Sequence, residues 1–131
     1  MSILFQIHSV LRFVVLALGL AALGLCVVGL QKKAPFAGPG RGLASAFAGT
    51  LQLQVLIGVA LVVLGLWQPR DIGHVVMMLL AAVFSQVMLS TNRRLAQPGW
   101  KRPLIGIGGA LLFIAVGIIA IGRMPWSITA F

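Results

Sequence analysis

The sequence alternates long apolar runs with short breaks rich in Gly, Pro and basic residues. The runs cover about Ile3–Leu30, Leu43–Trp67, Ile72–Thr91 and Leu104–Gly122. Each supplies the roughly 20 residues that a helix needs to cross a hydrocarbon core at about 1.5 Å per residue. The stretch Val55–Leu66 is continuously apolar rather than alternating, which excludes the strands of a barrel and leaves helices as the spanning form. The pattern therefore predicts an all-α membrane protein, a single bundle of four transmembrane helices.

The breaks have their own chemistry. Gln31–Arg41 holds Lys32, Lys33, Pro35, Gly38, Pro39 and Gly40 and reads as a basic loop. Gln68–Asp71 reads as a tight turn, with Pro69 stopping the second helix and Asp71 placed to cap the third. Asn92–Pro103 carries Arg93, Arg94, Lys101 and Arg102. The run beginning at Ser9 is too long for a signal-peptide core, and no positive charge precedes it.

Composition agrees with immersion in lipid. Of the 131 residues, 60% are hydrophobic and 8% charged, where a soluble domain carries about 25% charged residues. The net charge of +9 would suit nucleic acid if it were spread over a soluble face, but it sits mostly in short clusters between the apolar runs, so no nucleic-acid partner is expected. The first and third breaks carry seven basic residues, against Arg70 and Arg123 on the other side. The positive-inside rule then puts those two breaks in the cytoplasm and both termini on the non-cytoplasmic side of a bacterial inner membrane. Trp67, Trp100 and Trp126 fall near helix ends, where aromatic belts form. Small residues on helix 1 (Ala17, Gly19, Ala21, Ala22, Gly24) and helix 4 (Gly106, Gly108, Gly109, Ala110) allow close helix approach or docking against another subunit.

Several chemistries are excluded. Asp71 is the one acidic residue, so paired-carboxylate catalysis and carboxylate-rich metal sites are ruled out. Cys26 stands alone in an apolar run, which rules out an internal disulfide and Cys/His metal spacing. What remains is a set of costly ionisable groups inside the spans. His8 and Arg12 share a face of helix 1, His74 opens helix 3 and Arg123 ends helix 4, and the threading brings all four to the same side. On helix 3, His74, Met78, Ala81, Ser85 and Asn92 form one stripe at helical period, which points inward. Two imidazoles from different helices can ligate a heme b iron, with Arg12 and Arg123 pairing its propionates and Met77 or Met78 as a substitute ligand. A quinone or lipid head-group pocket and a structural role, with Arg12 snorkelling to the surface, are the other readings. A second polar group (Gln52, Gln54, Ser85, Gln86) lies toward the cytoplasmic side. Interhelical hydrogen bonds explain it first and a quinone carbonyl second.

The stretches His8-Ser9-Val10-Leu11-Arg12-Phe13, Leu53-Gln54-Val55-Leu56-Ile57-Gly58, Gly73-His74-Val75-Val76-Met77-Met78 and Arg123-Met124-Pro125-Trp126 resemble a family of small four-helix membrane proteins labelled cytochrome b-like. That family's pattern is His-Ser-x-x-Arg-Trp, His-x-Gln-x-x-x-Gly, Glu-His-x-x-Met-Met and Arg-x-Pro-Trp. The chain departs from it at Gln52 (His in the pattern), Gly73 (acidic) and Phe13 (Trp). The resemblance implies a small subunit of a respiratory or photosynthetic electron-transfer complex, beside larger membrane subunits. A cofactor-free accessory or assembly subunit is the alternative. A small transporter or channel is a third reading, weakened by the lack of intramembrane acids.

Overall fold

The computed structural model describes residues 3–65 and 71–120. Among them are four helices: α1 (Ile3–Lys32), α2 (Gly38–Val63), α3 (Ile72–Arg93) and α4 (Lys101–Ala120). All four are long and apolar enough to cross a membrane. With no water in the hydrocarbon core, a helix is the form in which one segment satisfies its own backbone. Large side chains such as Val10, Leu20, Leu56, Val83 and Leu112 therefore face outward without penalty.

Neighbours in sequence are neighbours in space. The pairs α1–α2 and α3–α4 are the closest, α4 returns to α1, and α2 meets α3 along the thinnest of the neighbouring seams. The result is an up-down-up-down bundle of two hairpins, in which α1 lies diagonal to α3. Buried positions on α1 are Arg12, Val15, Gly19, Ala22, Cys26 and Gly29, which step alternately by three and four residues. That is the seam of left-handed knobs-into-holes packing. It also divides the small residues of α1: Gly19 and Ala22 face inward, while Ala17, Ala21 and Gly24 face outward.

The helix ends differ from the sequence expectation in ways that follow from local chemistry. The basic loop shrinks to 33–37, because Pro39 sits in the first turn of α2, where a missing N–H costs nothing. The end of α1 closes as a Schellman motif: Ala34 N donates to Gly29 O at 3.1 Å and Lys33 N to Leu30 O at 3.3 Å, with Lys33 at φ 53°. The second helix stops at Val63 rather than Trp67, because Gly65 takes φ 75° and its N–H turns back to Val62 O. Asp71 occupies the N-cap position of α3 but makes no side-chain cap hydrogen bond. The fourth helix starts at Lys101, with Pro103 in its first turn. Trp67, Pro69, Arg70, Arg123 and Trp126, with the end expected near Gly122, lie outside the described residues.

Trp100 does not join an interfacial belt. It is buried to 6% exposure and wedges the α3–α4 connection against the α1–α2 hairpin. Its ring fills the notch left by Gly29 and Gly40, where an added Cβ would collide with the indole. Its Nε1 donates to Ala34 O at 2.7 Å, and Phe36 packs edge-on at 4.9 Å. This contact brings the two basic connections to one end of the bundle.

Gly29→Ala and Gly40→Ala should each lower the unfolding midpoint in detergent, at a cost of about 1–3 kcal/mol from overpacking. Gly24→Ala, where an added Cβ meets nothing, should be neutral or stabilising by up to about 1 kcal/mol through helix propensity. Thermal denaturation of the three variants side by side checks the wedge, and equal midpoints would refute it.

Candidate functional site

At the end of the bundle opposite Trp100, α1 and α3 present one imidazole each across the diagonal. The rings of His8 and His74 lie 6.4 Å apart between centroids, with planes at 88°. Both are partly buried, and each ring lies against the backbone of a neighbouring helix, His8 at Gln54 and His74 at Gly117. Flanking glycines give the rings room. A Cβ on Gly58 of α2 would stand 3.3 Å from His8 Cε1, and one on Gly117 of α4 would stand 3.6 Å from His74 Nδ1. All four helices thus contribute to the surroundings of the pair.

Arg12 lies one turn below His8 and is buried to 6% exposure, so it does not snorkel to the surface as it could have done. Its guanidinium stacks 4.5 Å from the Phe13 ring centroid. It is close enough to act electrostatically on both imidazoles. Met78 packs beside the pair, with its Cε 3.0 Å from where a Gly117 Cβ would stand. The stripe read from the sequence does face inward: Ala81, Ser85 and Asn92 are buried, and His74 and Met78 are half-buried.

Sequence reasoning placed Gln54 with the far polar group, and this is corrected. Gln54 is buried beside His8, where its Nε2 donates to the His8 carbonyl at 2.6 Å. The offset arises because α2 starts at Gly38, five residues earlier than expected, and ends at Val63, so position 54 sits nearer the His8 end. Gln52 points elsewhere: its Nε2 donates to Gln86 Oε1 at 2.5 Å on the α2–α3 seam. Gln86 Nε2 continues to Ser90 Oγ at 2.8 Å. Ser85 bonds back to Ala82 O within its own helix. These partners satisfy the hydrogen-bonding expectation for the amides. A histidine at position 52 would face Gln86, away from the His8–His74 pair. The signal that could have found Gln54 was its spacing from Gly58, one helical turn away on the side that meets His8.

The donor chemistry can be tested against a shared iron. Two imidazole nitrogens at about 2 Å from one metal put the ring centroids roughly 6 Å apart. The 6.4 Å separation is of that size, and imidazole is a residue type that ligates heme iron. Among the described residues no group of three or more His, Cys, Asp or Glu could hold a metal ion.

If the rings are kept for chemistry, removing their polarity should not unfold the bundle, because buried polar groups replaced by apolar ones of similar shape cost little. His8→Phe/His74→Phe should melt within about 1 kcal/mol of the parent chain. A loss near 3 kcal/mol or more in a denaturation curve would make the pair structural instead. No family model, curated protein or solved structure matches this chain.

Proposed function

We propose that the chain is a small integral subunit of a membrane electron-transfer complex that holds a b-type heme between His8 and His74. The observation that carries this reading is the meeting of two partly buried imidazoles across the bundle diagonal at a separation suited to one iron. His8 and His74 would hold the iron, each from beside a glycine of a neighbouring helix. Arg12 supplies a buried cation for a propionate, and Arg123 is the second cation for that role. Met78 would be the substitute ligand for one imidazole. A heme held there supplies one-electron transfer, in this setting between quinol and a partner subunit. Gln54 positions the backbone of His8, and Phe13 keeps Arg12 at the site.

The orientation follows from charge. Lys32, Lys33, Arg41, Arg93, Arg94, Lys101 and Arg102 share the Trp100 end, which faces the cytoplasm of a bacterial cell, and the imidazoles sit near the opposite face. A second reading, a cofactor-free accessory subunit, is favoured by the outward stripe of Ala17, Ala21 and Gly24, a surface that suits a close-packed partner helix.

The reduced-minus-oxidised absorption spectrum of the purified chain separates the two. An α-band that vanishes in His8→Ala and again in His74→Ala is the expected result, and a colourless, well-folded preparation leaves the accessory reading. Gentle-detergent purification should recover the chain with larger membrane subunits; migration alone counts against both. Membrane-impermeant maleimide applied from outside the inner membrane should label Leu64→Cys and spare Ala37→Cys, and the reverse pattern would invert the topology.

A further inference from the structure

The seam between α2 and α3 is the thinnest of the bundle's neighbouring contacts, and at the Trp100 end it opens into a cleft of about 220 Å³. Arg41 from the first turn of α2 and Arg93 from the last residue of α3 line it. Ser45, Gln52 and Gln86 lie further in, with Phe36 at the side. Arg93 is tied to the wall: its Nη2 donates to Ser90 Oγ at 3.3 Å, which also accepts from Gln86. The only acidic side chain in the sequence, Asp71, begins α3 at the other end of the bundle, so neither guanidinium has a side-chain carboxylate within reach.

We propose that this cleft binds an anionic phospholipid, with the phosphate between Arg41 and Arg93 and the glycerol-ester region against Ser45, Gln52 and Gln86. Two guanidinium groups at one mouth match a phosphodiester and its fork-like hydrogen bonding. The depth decides between a lipid and a free anion. From position 41 to position 52 a helix rises roughly 16 Å, which runs from the head-group layer into the acyl region. Down that path the lining changes from Arg41 through Ser45 and Gly49 to an amide, and beyond it Leu56 and Val83 are exposed for a chain to follow. A free phosphate would use the mouth alone. Cytoplasmic-leaflet charge adds a general attraction to basic residues, but a cleft with bound geometry discriminates among them.

Gly49 allows a direct test, because an added Cβ there meets nothing within 4 Å and a larger side chain projects into the cleft without displacing a helix. The full chain in detergent is titrated with phosphatidylglycerol, phosphatidylcholine or inorganic phosphate, with bound lipid read by native mass spectrometry and by the melting temperature. Phosphatidylglycerol should bind and raise the midpoint, while phosphatidylcholine and inorganic phosphate should not. Arg41→Gln/Arg93→Gln should weaken binding roughly thirtyfold, at about fivefold per lost cation. Gly49→Leu should weaken it comparably with its own midpoint unchanged or raised, and Arg94→Gln, outside the cleft, should bind like the parent. Equal weakening in Arg94→Gln, undiminished binding in Gly49→Leu, or the same midpoint shift from inorganic phosphate alone would each overturn the proposal.

Discussion

The bundle depends on how closely its helices approach, and glycine sets that distance. In lipid the hydrophobic effect gives helices no reason to prefer each other over acyl chains, so packing contact must hold them together. The contacts here are made by large side chains seated on glycines: Trp100 on Gly29 and Gly40, Phe84 on Gly109, Met88 on Gly106, and Phe47 with Leu111 on Gly19. Gly58 leaves the same kind of space for the His8 imidazole, and Gly117 leaves it for Met77 and Met78 with the His74 ring just beyond. The histidine site is thus made by the same device as the rest of the core, with a polar ring where an apolar one would pack.

Polar groups are distributed by the same need for partners. Asn92 Oδ1 accepts from Gly99 N at 3.0 Å and so closes the α3–α4 connection from inside. Thr91 bonds back to Val87 O at 2.8 Å, and Gln52 and Gln86 satisfy each other across the α2–α3 seam. Among the described residues, buried side-chain atoms that run short of partners include Gln54 Oε1 near the imidazoles and Asn92 Nδ2 at the other end of the bundle. Unsatisfied groups in hydrocarbon are expensive wherever they stand.

Most of the fold was legible in the sequence because hydrocarbon imposes a length and a polarity on every span. The number of helices, their type and the inward stripe of α3 followed from that alone. The ends did not, because they were decided by backbone conformations at Lys33, Pro39 and Gly65 that apolar runs do not encode. His8 and His74 were legible as a pair from threading, since the first and third passes run in the same direction and both begin at the same side. That they meet across the diagonal, with Arg12 buried beneath them, required the order of helices around the bundle. The role of Trp100 was hidden for the same reason: a tryptophan at a helix end reads as interfacial until the notch that receives it is known.

The two imidazoles ride on different hairpins, and this has a consequence for assembly. Each hairpin contains half of the pair and neither can present both rings, so the site comes into being only when the second half of the chain has docked onto the first. Ring separation is accordingly a gauge of docking. A loosened α1–α4 or α2–α3 seam would register there as a widened gap before either hairpin lost a turn of helix.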